Sequence, residues 1–298
     1  MNNQELETMR KSFKTANTQT NKLLKNPKVQ ELKGKVQDIR NYSIENNKEL
    51  FKLAEKNLNN NDIQTFFAST VEEAQDKILE LIKENSDYDN LEDVTVCKSK
   101  SNTLREINIE EYLNKEGINF LATDLGDRIL QLKEGNNTPI HPTCPAAHLN
   151  VNEIANVVNN SEMNVHVNAD AHEIMQAVRA DVLEKLNKSD VGISGANSIA
   201  AEDGSIVLIH NEGNINLIIS KKLHIVVAGI DKIVPTVEDA VGIAKLETVY
   251  ATGKTITSYM NVISGPSKTA DIEKLIFKKM YGAEKVVVIF LDNGRSTA

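Results

Sequence analysis

Apolar residues in the first 60 positions recur at three- and four-residue steps, which is the spacing of amphipathic helices. The positions that carry this spacing are Leu6, Met9, Phe13, Val29, Leu32, Val36 and Ile39. Pro27 interrupts the pattern and is typical of the first turn of a second helix. After a polar turn, the spacing predicts another helix over residues 63–85, capped by Asp62 or by Ser69 and Thr70. Residues 1–90 are therefore predicted to be a helical segment.

Beyond residue 90, short β-branched runs alternate with helical ones. VTVCKSKS (94–101) predicts a strand, and the amphipathic helix that follows it ends at Gly117. INFLATDLGDRILQL (118–132) passes from strand to helix in the same way, and a further helix is predicted over residues 171–186. Such alternation predicts an α/β domain over residues 91–298, with a mostly parallel sheet covered by helices on both faces.

The final third of the chain is richer in strands. Residues 191–234 contain at least three apolar segments separated by Gly and Asn turns. The pattern then predicts a helix near 237–246, a polar segment at 252–259, a helix near 270–280 and a strand over 286–291. The predicted architecture is an α/β domain with a helical appendage at its N-terminus.

Composition and charge narrow the classes of function. The formal net charge of −8 repels phosphate backbones and anionic lipid, so nucleic acid is not expected as a partner. No apolar run approaches the length that crosses a membrane. The chain contains two cysteines, Cys97 and Cys144, which fits a reduced cytoplasmic environment.

The sequence does not offer a complete set of metal ligands. Two thiols do not complete the four-cysteine ligation of an iron–sulfur cluster, and HPTCPAAH (141–148) lacks a fourth ligand for a metal ion. We therefore expect no metal and no cofactor in this chain.

Two loops carry the candidate chemistry. In GISGANSIAAEDG (192–204), glycines bracket Ser194 and let backbone N–H groups approach an anion closely. This run is neither the dinucleotide fingerprint nor a phosphate loop, and a structural turn is the competing interpretation. HNEGN (210–214) joins two apolar segments and is typical of a hairpin loop. If the two loops converge, Glu202 and Glu212 form a carboxylate pair that can raise one pKa for acid/base chemistry.

Geometry decides which of these residues share a pocket. Five strand residues at about 3.3 Å each would hold Glu202 roughly 17 Å from Glu212. A hairpin centred on residues 202–204 would instead place residues near Gly195 opposite Glu212. We therefore expect Glu212 to share its pocket with the segment 195–197. Glu202 joins it only if its turn folds back along the strand.

Three further side chains belong to the predicted site. Lys98 follows a strand end, where α/β proteins tend to place ligands, and Thr257 and Ser258 offer hydroxyls to a carboxylate or phosphate. The predicted ligand-binding residues are Gly192, Ser194, Gly195, Ala196, Asn197, Glu202, Asn211, Gly213, Asn214, Lys98, Thr257 and Ser258. Glu212 is the predicted catalytic residue.

Several blocks taken together resemble a known family. They are GISGANxxxAExGxxxxxxNEGN, HIVVAGIDKIVPTxEDA (224–240), TGKTITSYMNVISGP (252–266) and LDNGRS (291–296). In this order they are similar to the LUD domain of lactate-utilisation iron–sulfur proteins of the LutB type. The likeness covers roughly residues 94–296 and is more specific than any single motif.

The resemblance implies a three-layer α/β sandwich related to the ribose-phosphate isomerase and CoA-transferase superfamily. It also implies a part in oxidising L-lactate to pyruvate, as one subunit of a redox complex that binds a small anionic ligand. LutB-type proteins continue past DNGRS into a ferredoxin-like region rich in cysteine, whereas this sequence stops at Ala298. [4Fe-4S] clusters are therefore expected only if such a region follows residue 298, and the chain is either cut at a domain boundary or a cluster-free relative.

Two other functions stay open from the sequence. The first is an enzyme of the CoA-transferase or isomerase kind in which Glu212 acts as base or nucleophile. The second is a structural interaction module, for which the basic N-terminal helices are the main support. Binding of a small molecule would separate the last reading from the others.

Overall fold

The computed structural model describes residues 3–85, 90–133, 141, 143–161, 163, 165–166 and 169–295. The helices are α1 (Asn3–Leu23), α2 (Pro27–Glu45), α3 (Asn47–Asn60), α4 (Val71–Asn85), α5 (Asn102–Glu106), α6 (Ile109–Lys115), α7 (Leu125–Leu132), α8 (Val151–Asn160), α9 (Ala171–Leu186), α10 (Asn214–Ile218) and α11 (Val237–Thr252). No helix among these described residues is long and apolar enough to cross a membrane.

The strands form one large sheet and two small ones. They are β1 (Ile63–Ala68), β2 (Thr95–Lys98), β3 (Asn119–Ala122), β4 (Val191–Ser194), β5 (Ser198–Ala200), β6 (Ile206–His210), β7 (Leu223–Gly229), β8 (Ile233–Val234), β9 (Tyr259–Ile263), β10 (Lys268–Thr269), β11 (Phe277–Lys278) and β12 (Lys285–Leu291). The large sheet has the order β1-β12-β7-β4-β2-β3, and every neighbouring pair in it is parallel. All its strands therefore end at one edge, the carboxyl edge.

Helices and the smaller sheet cover both faces of the large sheet. Alternate residues of β7 and β12 point to opposite sides, so that Val227 packs with α4, α5 and α6 while Val226 packs with α3 and the smaller sheet. Near β2 and β3, the second face is covered by α8, α9 and α10. Strands buried on both faces explain the continuous apolar run of β12. The predicted α/β fold class with N-terminal helices is confirmed.

The segment 63–68 is a strand, and the predicted helix over 63–85 is wrong for these residues. β1 pairs in parallel with β12 from Ile63 opposite Val286 to Ala68 opposite Leu291. The helix begins only at Val71, with Thr70 Oγ1 accepting a hydrogen bond from the backbone of the first turn. The division of the chain at residue 90 stays a prediction, and the pairing of β1 joins the two predicted parts in one sheet.

The smaller sheet contains the predicted hairpin. Its order is β8-β5-β6-β9, and β5 pairs with β6 in antiparallel register, with Ser198 opposite Val207. The turn between them lies at residues 201–205, as expected from the AEDG sequence. β6 then runs to His210, so the AEDG turn and the NEGN segment lie at opposite ends of one strand.

The predicted helix near 270–280 is not formed. This stretch contains turns and the two-residue strand β11, which pairs with β10. Glu273 and Lys274 have positive φ values of 51° and 60°, which a right-handed helix does not allow. The apolar residues here match helical spacing, but they face solvent rather than a core.

Candidate functional site

The carboxyl edge of the large sheet brings together loops that are far apart in sequence. The loop after β3 holds Thr123 and Asp124, and the loop after β2 holds Lys100. The NEGN segment, between β6 and α10, reaches the same place: Asn214 Nδ2 donates to Thr123 Oγ1 at 3.2 Å. Thr123 Oγ1 in turn donates to the carbonyl of Lys98 at 3.0 Å. The edge of a parallel sheet is where α/β proteins bind ligands.

Lys100, Asp124 and Glu212 form the centre of this site, which we term the open cluster. The backbone N–H of Leu125, in the first turn of α7, donates to Glu212 Oε2 at 3.0 Å. Asp124 caps the same helix through Oδ1, which accepts from the N–H of Gly126 at 3.2 Å. Its other oxygen, Oδ2, lies 2.6 Å from Lys100 Nζ. The open cluster therefore contains one ammonium group, of Lys100, and two carboxyl groups, of Asp124 and Glu212.

Desolvation and a neighbouring carboxylate shift the pKa of Glu212. Glu212 is exposed as a residue, but its carboxyl end turns toward α7 and loses much of its solvent there. This desolvation, followed by the negative charge of Asp124, raises the pKa of Glu212 to about 7. A carboxyl group with a pKa near neutral pH is suited to general acid/base work.

Three predicted residues meet beside Glu212. The Asn211 Oδ1 atom accepts hydrogen bonds from Thr257 Oγ1 at 3.2 Å, from the N–H of Ser258 at 3.1 Å and from Ser258 Oγ at 3.3 Å. Thr257 Oγ1 also lies 2.8 Å from the carbonyl of His210. These bonds fix the Asn211 amide, and no acceptor for its Nδ2 occurs within the described part of the chain. Asn211 is exposed, so this NH₂ group is open to solvent.

His210 holds the NEGN segment and was not predicted. The N–H of Gly213 donates to His210 Nδ1 at 3.1 Å, so the ring proton lies on Nε2, which donates to Asn261 Oδ1 at 2.8 Å. The ring stacks on Tyr259 with centroids 4.9 Å apart. Burial lowers the pKa of His210, which keeps the ring neutral. Gly213 has the predicted positive φ, at 85°, but helix α10 follows it, so the hairpin predicted at HNEGN is not formed.

The predicted glycines serve close packing. A side chain at Gly192 would collide with the carbonyl oxygen of Ile218 in α10, and one at Gly195 would collide with Ser101, the N-cap of α5. Ala196 is half-buried and packs against the core on the second face. These residues position the segments around the open cluster, and none of them has a polar side chain to offer a ligand.

Ser194 is inside the protein. It is fully buried, and its Oγ lies 2.8 Å from His224 Nε2. Burial lowers the pKa of His224 to about 4, so this pair is neutral. Ser194 ends β4, but its hydroxyl is buried and not exposed at the carboxyl edge, and its ligand-binding role stays a prediction.

Lys98 belongs to a second group, which we term the buried cluster and define as Lys98, Arg105, Glu110 and Asp127. Lys98 is 2% exposed, and its Nζ lies 2.6 Å from Glu110 Oε1 and 3.6 Å from Asp127 Oδ2. Arg105 pairs with the other oxygen of Asp127 at 2.7 Å. Two cations face two anions here, so the ammonium group of Lys98 is already paired with carboxylates of its own chain. The lysine beside Glu212 is Lys100.

The predicted pairing of Glu202 with Glu212 is corrected. Glu202 Oε1 accepts from the N–H of Val237 at 2.8 Å and so helps to cap α11, at the other end of β6. Asn197 does reach across the hairpin, because its Oδ1 accepts from the N–H of Ile209 at 2.9 Å. Its Nδ2 is bound to Glu247. The carboxylate partner of Glu212 is Asp124, from a loop 88 positions away in sequence.

Arg295, in the LDNGRS block, is tied to carboxylates at the same edge. It forms a two-point ion pair with Glu106 at 2.9 and 2.6 Å and contacts Asp231 at 2.7 Å. Gly229 allows this approach, since a side chain there would collide with Arg295. The block therefore has a structural role in this chain, since Arg295 links the segments that follow β7 and β12 to Glu106 of α5.

The two cysteines do not fit an iron–sulfur cluster. Cys97 is buried in β2, where desolvation raises the pKa of its thiol to about 11, and its Sγ donates to the carbonyl of Val191 at 3.4 Å. Cys144 is exposed. Cluster ligands are thiolates, usually four of them. No group of three or more His, Cys, Asp or Glu able to hold a metal ion is found in the described ranges.

The structure is that of an α/β protein with a cluster of polar and charged side chains at the carboxyl edge of a parallel sheet. Residues 51–291 match the LUD domain, and the chain belongs to the LUD domain family. The match begins in α3 and includes β1, so the family's domain starts before the residue 91 that the sequence pattern suggested.

Similar proteins share one name. Lactate utilization protein B of Bacillus subtilis (strain 168) is 33% identical over 262 residues, which are 87% of this chain and 51% of that protein. Lactate utilization protein B of Geobacillus thermodenitrificans (strain NG80-2) is 32% identical over 269 residues, 90% of this chain and 53% of that protein. The chain thus spans about half the length of the curated relatives it matches.

A solved structure is more distant. A duf162 family protein from Deinococcus radiodurans aligns with a TM-score of 0.40 and 13% identity, covering 82% of this chain and 98% of that one. Likeness at this level carries no argument about the site.

Proposed function

We propose that this chain is the LUD-domain component of a system that oxidises L-lactate to pyruvate, or of a related iron–sulfur redox complex. In this role it binds a small carboxylate at the open cluster. The observation that supports the proposal is the carboxyl pair of Glu212 and Asp124 beside Lys100, at the carboxyl edge of the sheet. The similar proteins are lactate utilization proteins B, so lactate is the ligand to test.

Protonation of Glu212 controls the charge that a ligand meets. With Glu212 ionised, the open cluster holds one cation and two anions and repels a carboxylate. With Glu212 protonated, Lys100 and Asp124 balance, and the Glu212 carboxyl group gains an O–H donor. The Asn211 NH₂ group offers a further donor, since the amide is held through its oxygen by Thr257 and Ser258. Ligand binding should therefore take up a proton.

The resemblance to lactate-utilisation proteins also supports a proposed location and proposed partners for the chain. The protein acts in the cytoplasm with other subunits of a redox complex. The clusters of that complex are held by other cysteines, since Cys97 and Cys144 do not fit one. A ferredoxin-like region following residue 298 is one place for them. The LUD domain then contributes a ligand site and a platform.

The experiment is a calorimetric titration of the chain with L-lactate and with pyruvate at pH 6.5. We expect saturable binding that Glu212→Ala weakens at least about tenfold, because a carboxyl group contacting the ligand is removed. Glu202→Ala is the matched control, since Glu202 is a carboxylate at the other end of the same strand, and it should bind like wild type. No saturable heat with either ligand at millimolar concentration would contradict the proposal.

A second candidate is an enzyme of the CoA-transferase or isomerase kind. It is favoured by the raised pKa of Glu212, which fits a general base or acid, and the carboxylate form is a possible nucleophile toward a thioester. Intact-mass measurement after incubation with acetyl-CoA distinguishes the two functions. A covalent adduct that maps to Glu212 would support the enzyme, and an unmodified chain that still binds lactate would support the ligand-binding subunit.

A further inference from the structure

Helix α1 packs more loosely than the helices that follow it. None of its described side chains is buried, and the residues of its apolar face, Leu6, Met9 and Phe13, are half-buried. No residue of α1 belongs to an apolar core cluster within the described ranges, whereas α2 buries Val29 and Val36. α1 is therefore held by surface contacts, which is typical of segments that open locally.

One contact of α1 leads to Lys100. The Phe13 ring packs against the His141 ring, with centroids 4.4 Å apart. His141 Nδ1 accepts a hydrogen bond from the N–H of Thr143 at 3.2 Å, and the carbonyl of Thr143 accepts one from Lys100 Nζ at 3.1 Å. The middle of α1 is therefore connected through two residues to the ammonium group of the open cluster.

The C-terminal part of α1 contacts another side of the open cluster. Thr20 Oγ1 donates to the carbonyl of Val249 at 3.4 Å, and a side chain at Gly253 would collide with α1. Gly253 caps α11 and begins the segment that carries Thr257, whose hydroxyl is bound to Asn211. This end of α1 therefore lies on the Asn211 side of the site.

The two contacts bracket the open cluster. Residues 13–20 extend over seven helical steps of about 1.5 Å each, roughly 10 Å in all, from the side of Lys100 to the side of Asn211. Asn211 and Glu212 are exposed. α1 therefore lies at the rim of the open cluster and leaves it accessible to a ligand.

The charge of α1 is complementary to an anion at this site. Residues 8–22, which we term the basic strap, contain four Lys or Arg residues and no acidic residue. The open cluster has one ammonium group for two carboxyl groups, so a carboxylate ligand meets no unpaired cation there. Arg10 and Lys14 are exposed, one helical turn apart and close to Phe13 in the helix. The basic strap thus carries the cations that the open cluster lacks.

We propose that the basic strap closes over a small carboxylate at the open cluster, with Arg10 and Lys14 supplying positive charge to the bound anion. The ligand is that of the proposed function, on which this inference rests. The turn at residues 24–26 is the hinge, because α2 beyond it is anchored. α2 packs against α11, and its Arg40 donates to the carbonyl of Asp231 at 2.6 Å. Closure of a segment over a ligand excludes water and strengthens the ion pairs inside.

Calorimetric titration of the full chain with L-lactate tests the basic strap. Arg10→Gln/Lys14→Gln should bind at least about tenfold more weakly than wild type, because two cations near the bound carboxylate are lost. Lys22→Gln/Lys25→Gln is the matched control. It removes the same charge beside the hinge and should bind within about twofold of wild type, since distant exposed charges are screened. All four side chains are exposed, so both double variants should fold as wild type does.

Hydrogen exchange measured by mass spectrometry follows the closure itself. Saturating L-lactate should slow the exchange of α1 amides in wild type and leave it unchanged in Arg10→Gln/Lys14→Gln. Equal affinities of the two double variants, or α1 exchange that L-lactate does not slow, would overturn the closure of the basic strap and leave the proposed function standing. A wild-type chain that does not bind L-lactate would overturn both.

Discussion

Two groups of charged side chains flank the first turn of α7, and they differ in how completely their charges are paired. In the buried cluster, Lys98 and Arg105 face Glu110 and Asp127, and Lys98 is enclosed. The open cluster has Lys100 against both Asp124 and Glu212. Lys98 ends β2 and Lys100 lies two positions further along the chain. The buried cluster nevertheless has equal numbers of cations and anions, whereas the open cluster has one carboxylate more than it has cations.

The difference separates a structural role from a functional one. A balanced, buried set of charges has no capacity left for a ligand, and removing a member leaves its partner uncompensated. A set with a surplus carboxylate holds one group whose proton is exchangeable near neutral pH. Glu212 is that group, and its exposed position lets a ligand reach it. The predictions below test this contrast.

The largest expected effect is on stability, and it falls on the buried cluster. Lys98→Met should lower the free energy of unfolding by about 3 kcal/mol, because it leaves the buried Asp127 carboxylate with one cation fewer. Lys100→Met should cost less than about 1 kcal/mol, since the Lys100 side chain is itself 27% exposed and the buried Asp124 keeps its hydrogen bonds from the N–H groups of Gly126 and Asp127. Urea unfolding measures both. Equal losses for the two variants would remove the distinction between the clusters.

The next effect concerns the pH dependence of ligand binding. Because a carboxylate ligand favours protonated Glu212, affinity should rise as pH falls, by about tenfold per unit above pH 7, and level off below it. Glu212→Gln should bind with little pH dependence, since its amide is neutral throughout. Calorimetric titration with L-lactate between pH 6 and 8 measures this. A wild-type affinity that is flat over this range would show that Glu212 does not titrate with the ligand.

The smallest effect is expected for Asp124→Asn. Asparagine caps helices as well as aspartate does, so the free energy of unfolding should change by less than about 1 kcal/mol. Removing the neighbouring negative charge should lower the pKa of Glu212 toward its ordinary range. A carbon-detected NMR titration follows that carboxyl group. If the pKa of Glu212 stayed as in wild type, desolvation alone would explain its shift.

The spacing of apolar residues predicted most helices correctly. It failed where a strand or an exposed turn has the same spacing as a helix. Ile63, Phe66 and Phe67 have helical spacing, and the segment became a strand because its backbone pairs with β12. The helix predicted near 270–280 failed for the converse reason, since its apolar stripe has no core to pack on. The local pattern of apolar residues does not show with which distant strand a segment pairs, or whether a core is present for it to pack against.

The same limit applies to the site. The hairpin turn between β5 and β6 followed from a local motif, and the contact of Asn197 with β6 from strand pairing. The sequence assigned Asn211, Thr257 and Ser258 to one site but did not predict the bonds between them. The partnership of Glu212 with Asp124 did not, because the loops after β3 and β6 meet only through the order of the strands. The sequence ATDLGD (122–127) does contain a signal for Asp124. An N-cap residue that lies shortly after a strand is at the carboxyl edge of the sheet, where ligands bind.

The pKa of Glu212 in the free protein is the most direct test of the contrast between the clusters. It is measured from the side-chain carboxyl resonance of glutamate labelled with carbon-13, assigned by its absence in Glu212→Gln. We expect a titration midpoint near 7, well above that of an exposed carboxyl group. A midpoint close to 4.5 would contradict the surplus carboxylate of the open cluster and the proposed site with it.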